Sequence, residues 1–158
     1  MQFTEADTRA KFIDTKLKNS NWSGDCIKRE HCFTDGRKLL GGKRGVKKIA
    51  DYLLSFQNNN LAIIEAKSLY KDSLSGLSQA IEYAKILNIR FVYATNGDKI
   101  FEYDMLHSRG EYVEEFPSPQ ILFARTFGNL LEWQHKLLTQ KELYIPQKVT
   151  LLSKNRSR

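Results

Sequence analysis

The period of the apolar positions changes several times along the chain, and each change predicts an element. Ala6, Ala10, Ile13 and Leu17 recur at helical spacing behind Thr4, a suitable cap, with Glu5 and Asp7 in the first turn where acids favour the helix dipole. Asn19-Ser20-Asn21 ends this helix, and after Gly24 the stretch from Asp25 to Phe33 alternates as a strand does. Ile49 to Phe56 and Leu61 to Lys67 are almost continuously apolar, as expected of central strands covered on both faces, and Gln57-Asn58-Asn59-Asn60 joins them as a hairpin loop. Ser73 and Ser75 are candidate caps for a helix striped by Leu74, Leu77, Ile81, Ala84 and Leu87. Phe91 to Thr95 and Lys99 to Tyr103 form a second hairpin about Asn96-Gly97-Asp98. A short strand is expected over Glu111 to Phe116, and Ser118-Pro119 opens a helical region that continues through Leu130, Leu131, Trp133, Leu137 and Leu138.

Helices and strands in this order predict an α/β fold, a mixed central β-sheet flanked by helices rather than a fully parallel one. A chain of 158 residues fills one core and is too short for two of ordinary size. We expect a core over 1–116, a helical extension over 117–145 packed on it, and a tail over 146–158. With 41% hydrophobic and 27% charged residues the composition is that of a folded globular chain. No stretch approaches the ~18 apolar residues of a membrane span, and the N-terminus has no charged-then-apolar leader, so neither export nor membrane insertion is expected and the cytoplasm is the expected compartment. Cys26 and Cys32 form no CxxC pair and are read as reduced structural thiols.

Charge narrows the choice of partner. Lys and Arg number 25 against 18 acids, a formal +7, which favours a polyanion. The excess is steepest in Gly41-Gly42-Lys43-Arg44-Gly45-Val46-Lys47-Lys48. This connector lacks the GxxxxGK[ST] spacing of a nucleotide-binding loop and leads into a strand, so Lys43, Arg44, Lys47 and Lys48 suit contact with a DNA backbone better; a merely solvated basic loop is the plain alternative. His31, His107 and His135 have no metal-ligand spacing and are given no chemical role.

The informative residues are the charges inside the apolar strands. Asp51, Glu65 and Lys67 occupy segments from which a buried sheet should exclude them. Glu65 and Lys67, two apart, share one face, and Asp51 joins them opposite Glu65 only if the hairpin closes with an odd register, pairing Phe56 with Asn60 or Ser55 with Leu61, or carries an equivalent bulge. Two carboxylates and an ammonium would then meet where a hard divalent cation binds: Asp51 and Glu65, with the Ala66 carbonyl, as ligands, and Lys67 to position a water and offset developing charge. The plain alternative is a same-face Glu65–Lys67 ion pair with Asp51 at a strand end.

Asp51…Glu65-Ala66-Lys67 resembles the PD-(D/E)xK nuclease motif, with Ala50 in the place of proline. Thr4-Glu5-Ala6-Asp7-Thr8-Arg9, Ala50-Asp51-Tyr52-Leu53-Leu54, Ile64-Glu65-Ala66-Lys67 and Ala94-Thr95-Asn96-Gly97 together resemble the N-terminal endonuclease domain of type I restriction enzyme R subunits. Gln79-Ala80-Ile81-Glu82-Tyr83 is similar to the QxxxY motif of those subunits, and the likeness extends from Thr4 to about Tyr103.

The resemblance implies a restriction-endonuclease-like fold and Mg²⁺-dependent cleavage of double-stranded DNA, with Mn²⁺ as an alternative metal. It implies that Gln79 and Tyr83, on one helix face, join the site or contact a phosphate, and that Glu5 lends a further carboxylate from a bordering helix. It also implies methylation and specificity subunits as partners and an ATP-driven motor in the full-length protein. The motor's ATP-binding motif is missing here, so the chain is expected to be a fragment whose tail leads towards it. Target choice would come from the other subunits, leaving this domain sequence-nonspecific. The alternatives are a stand-alone repair or recombination nuclease of the same fold and a non-catalytic DNA-binding or docking module.

Overall fold

The structure, a computed structural model, describes residues 2–33 and 47–128. Six strands form one sheet in the order β1 to β6: Ile27–Cys32, Ile49–Phe56, Asn59–Ala66, Phe91–Thr95, Ile100–Asp104 and Arg109–Val113. Neighbours are antiparallel except β3 and β4, which run parallel. Their link is the helical crossover that a parallel pair requires. This is the mixed α/β sheet expected from the order of elements.

The first helix, α1, passes from an α-helical start, Glu5–Thr8, through a π-helical stretch, Arg9–Ile13, to an α-helical end, Asp14–Asn19. Thr4 caps it as expected: its hydroxyl accepts the Asp7 N–H at 3.1 Å while the Asp7 carboxylate accepts the Thr4 N–H at 3.0 Å. The expected stripe is corrected. Ala6 and Ala10 are exposed, and the buried positions are Thr8, Ile13 and Leu17. The step of five from Thr8 to Ile13 is that of a π-turn, which keeps both residues on the packed side.

Helix α2, Leu77–Leu87, follows a 3₁₀ turn, Ser73–Gly76. Its start also differs from expectation. Asp72, rather than Ser73 or Ser75, is the cap, accepting the Leu74 N–H at 3.0 Å, and Leu74 belongs to the turn. Ala80, Tyr83 and Ala84 pack on Leu53, Ile63 and Val92, with Leu77, Ile81 and Leu87 around them. Tyr52 alternates with Leu53 and therefore faces the other way, where its hydroxyl donates to Asp14 of α1 at 2.9 Å. The two helices thus cover opposite faces of the sheet.

The β2–β3 hairpin closes on only two residues, Gln57 and Asn58, both with positive φ as a type I′ turn requires. Such an even loop alone would turn Asp51 away from Glu65. A bulge between Leu54 and Ser55 corrects this: Ser55 pairs with Asn60 but Leu54 with Ala62, so Leu61 is the extra residue. The register expected for Asp51 is reached by the bulge rather than by an odd loop.

At the β4–β5 turn, Gly97 has φ 88°, and a side chain there would meet Thr8 and Phe12 of α1 at 2.8 and 2.9 Å. The last strand is shifted from the expected 111–116. Ser108, with φ 50°, belongs to a turn that starts β6 at Arg109, and Phe116 instead buries against Tyr93. Trp22 donates to the Pro117 carbonyl at 2.9 Å, and a helix is described over 119–128. One compact unit spans Met1–Phe123; most of the expected extension over 117–145 and the whole tail over 146–158 lie outside the described residues. Among the described residues no helix is long and apolar enough to cross a membrane. Cys26 and Cys32, both half-buried, are not joined in a disulfide.

Candidate active site

Asp51, Glu65 and Lys67 come together where β2 and β3 part. The ladder between these strands ends at Tyr52 and Ile64, so the Ala66 N–H has no strand partner on that side. The Asp51 carboxylate takes the place of the missing carbonyl, accepting the Ala66 N–H through Oδ2 at 2.8 Å. Lys67 N–H donates to Thr95 O of β4 at 2.9 Å. Peptide groups alternate along a strand, so the Ala66 carbonyl is turned towards the β2 side, where Asp51 lies.

The rest of the cluster is built on the same two strands. Lys67 Nζ donates to Glu65 Oε1 at 3.1 Å, with the Glu65 side chain 5% exposed and that of Lys67 19%. Glu65 Oε2 is buried without a hydrogen-bond partner, an arrangement that costs free energy unless something else fills it. Gly76, just before α2, lies against this pair: a Cβ there would sit 2.6 Å from Glu65 Cγ and 3.1 Å from Lys67 Cε. Only a residue without a side chain lets the chain pass so close.

Electrostatics follow the geometry. Burial, reinforced by the Asp51 carboxylate, pushes the Glu65 carboxyl up to about 7, although Lys67 pulls it down. Burial also raises Asp51, against the lowering effects of the Ala66 N–H and Arg9. Lys67 is pulled down by burial, but the hydrogen bond and charge of Glu65, with Glu5 and Asp51, outweigh this and raise it overall. Glu5, half-buried in the first turn of α1, acts on all three groups. The helix expected to border the site does so.

The other expected residues have partners of their own, stand exposed or lie outside the described residues. Gln79 donates to the Tyr83 hydroxyl at 2.7 Å, and the Tyr83 ring packs edge-on against Phe33 at 4.9 Å. Among the described residues no hydrogen bond joins either to Asp51, Glu65 or Lys67. Lys43 and Arg44 lie outside the described residues; Lys47 is exposed, and Lys48 is bonded to Glu82 of α2.

Three residues that the sequence reading passed over belong to the surroundings of the site. Arg9 donates to Asp51 Oδ1 at 3.1 Å and reaches Glu30 at 3.4 Å. Gly76 abuts Glu65. Asn96 donates to the Leu69 and Lys71 carbonyls at 3.3 and 3.0 Å while accepting the Asp98 and Lys99 N–H groups, tying the β4–β5 turn to the loop after Lys67. Arg9 and Asn96 stand in segments that carry the family resemblance, which was the one signal available for them.

Among the described residues, no three carboxylate, imidazole or thiol side chains converge tightly enough to hold a metal by themselves. The site nevertheless fits a cation of the Mg²⁺ class, which typically takes one or two carboxylates and keeps several waters. Asp51 and Glu65 supply the carboxylates, Glu65 has an unpaired buried oxygen, and the Ala66 carbonyl lies on the same side.

A mixed sheet that splays to present a carboxylate pair and a lysine belongs to the restriction-endonuclease-like class of α/β folds. Comparison with known proteins is specific. The chain is 35% identical over 133 residues to the type I restriction enzyme EcoAI endonuclease subunit of Escherichia coli, a match covering 77% of this chain and 16% of that subunit. It superposes with a TM-score of 0.74 and 38% identity on a fragment structure assigned to the HsdR subunit of a type I restriction enzyme from Vibrio vulnificus YJ016, covering 81% of this chain and 26% of that one. No protein-family model matches. The chain belongs with the R (HsdR) subunits of type I restriction enzymes, as a homologue of part of that subunit.

Proposed function

We propose that this domain hydrolyses DNA phosphodiester bonds with a divalent cation held by Asp51, Glu65 and the Ala66 carbonyl. The observation that carries the reading is the unpartnered, buried Glu65 Oε2 beside a second carboxylate. Lys67 engages only the other Glu65 oxygen, and a Mg²⁺ or Mn²⁺ ion would fill the open one.

Bound there, the ion supplies charge neutralisation at a phosphate and acidifies a coordinated water. The residues of the chain do the remaining work. Asp51 is held in place by the Ala66 N–H, so its free lone pairs are aimed before any ligand arrives. Lys67, held by Glu65, keeps its proton and donates to the attacking water and to the phosphate oxygens as negative charge grows on them. Glu5 adds a carboxylate at the rim that can receive a hydrogen bond from solvent in the ion's shell. Gln79 and Tyr83, a bonded pair on one face of α2, join the site or contact a phosphate of the DNA backbone.

In this reading the domain is the DNA-cutting part of a restriction R subunit. It cuts without reading bases, because specificity subunits choose the target, methylation subunits complete the complex, and ATP acts only in a motor region elsewhere in the full-length protein. Lys43, Arg44, Lys47 and Lys48 add salt-dependent contact with phosphates. The core over 1–116, extension over 117–145 and tail over 146–158 divide the chain accordingly, and the cytoplasm is the compartment.

Two measurements test this. Plasmid cutting by the assembled enzyme should be abolished by Asp51→Ala and by Lys67→Ala; unaltered cutting by either variant would rule out the site. Calorimetric titration with Mn²⁺ should show binding to the wild-type chain and none to Glu65→Ala.

A further inference from the structure

Beside the cluster, on its α1 side, lies a cleft of about 290 Å³. It is lined by Arg9, Asp14, Arg29, Glu30, Asp51 and Tyr52, so two guanidinium groups face three carboxylates. Each guanidinium is tethered. Arg29 bonds Asp14 at 3.1 Å, and Asp14 also receives the Tyr52 hydroxyl. Arg9 uses one amino group on Asp51 and the other on Glu30.

Glu30 is itself in an unusual state. It stands in the middle of β1 with φ 48°, and the β1–β2 ladder skips the step where it would pair with Asp51. Left-handed backbone at a residue with a side chain costs about 1 kcal/mol, and such strain gathers at functional positions. Here it accompanies the carboxylate that holds Arg9 next to Asp51.

We propose that Arg9 is a substrate-contacting residue: it is the counter-ion of Asp51 in the metal-free protein and, once a divalent cation takes Asp51, turns its freed amino group to a phosphate of the bound DNA in this cleft. The proposal rests on the reading of Asp51 and Glu65 as cation ligands. Its physical basis is charge and reach. Without a cation the cleft is one positive charge short and repels a phosphate; a doubly charged ion at Asp51 reverses that sign. A phosphate drawn to that ion lies within a few ångströms of Asp51, and Arg9 already stands 3.1 Å from the same carboxylate. A guanidinium can hold Glu30 with one edge and a phosphate oxygen with the other, and the Glu30 contact keeps it in the cleft when the DNA is absent.

The same side chain therefore competes with the cation and assists the DNA, and the two effects have opposite signs in a single variant. In Arg9→Met, Mn²⁺ binding to the DNA-free chain, measured by calorimetry, should tighten three- to ten-fold. Binding of a short duplex in Ca²⁺, followed by fluorescence anisotropy, should weaken five-fold or more and lose about one unit from its log–log salt slope. Arg29→Met, in the same cleft but bonded to Asp14 instead of Asp51, should leave Mn²⁺ affinity unchanged. Arg9→Lys keeps the charge and should fall between wild type and Arg9→Met in both assays; it decides the matter if the methionine variant does not fold.

Mn²⁺ affinity that stays constant or weakens in both Arg9 variants would overturn the proposal, as would unchanged duplex binding. A wild-type chain that binds no Mn²⁺ would instead remove the cation reading beneath it, while Glu65-dependent Mn²⁺ binding that ignores Arg9 would remove this inference alone.

Discussion

The Asp51 carboxylate occupies the position of a missing strand, accepting the Ala66 backbone N–H at 2.8 Å just where β2 and β3 part. One side chain thereby finishes a β-ladder and places a negative charge beside Glu65, so stability and chemistry are coupled at this residue. Asp51→Asn retains an acceptor for the Ala66 N–H and should unfold in urea close to wild type, within about 1 kcal/mol. Asp51→Ala leaves that N–H buried and unpaired and should cost about 1–3 kcal/mol. Both should lose Mn²⁺ binding, which separates the two roles.

Glu65 makes the metal-free protein sensitive to pH near neutrality. Its carboxyl is raised from 4.5 to about 7 by burial and by Asp51. Between those values the unfolded chain has released a proton that the folded chain still holds. Stability contributed by this group is therefore full below about 4.5, falls as pH rises, and levels off above about 7, with a total loss on the order of 3 kcal/mol. Urea midpoints measured from pH 4.5 to 8 in chelator should follow that course, and the slope should vanish in Glu65→Gln.

Gly76 is required for space rather than for backbone freedom. Its φ is −93°, which any residue adopts, but a methyl group would sit 2.6 Å from Glu65 Cγ. Gly76→Ala should destabilise by about 1–3 kcal/mol through overpacking and reduce Mn²⁺ affinity by displacing Glu65. A variant with wild-type melting temperature and wild-type Mn²⁺ affinity would show that the contact relaxes at no cost.

Asn96 holds the loop between Lys67 and Asp72 through two carbonyls. Asn96→Asp keeps the acceptor for Asp98 and Lys99 but sets a carboxylate against the Leu69 and Lys71 carbonyls. Amide hydrogen exchange over 68–72 should accelerate at least ten-fold in this variant, with the β2–β3 amides unchanged.

Much of the molecule was legible from the residues alone, because it depends on near neighbours in the chain. The Thr4 cap, the β4–β5 turn at Gly97 and the apolar strands follow from local propensity and period. Asp51, Glu65 and Lys67 stood out as charges in segments that should have none. The start of α2 was misread because Asp72, Ser73 and Ser75 are all competent caps, and only the packing of the 3₁₀ turn selects among them.

What the sequence by itself determined is which residues are anomalous: three charges in oily strands, whose desolvation demands compensation. What only the tertiary structure decided is how they are compensated. The bulge at Leu61 sets which face Asp51 takes, the gap after Tyr52 and Ile64 gives it the Ala66 N–H, and Arg9 and Gly76 reach the cluster from helical segments. Those contacts join residues far apart in the chain, and a one-residue change of register, which leaves composition and period untouched, would undo them.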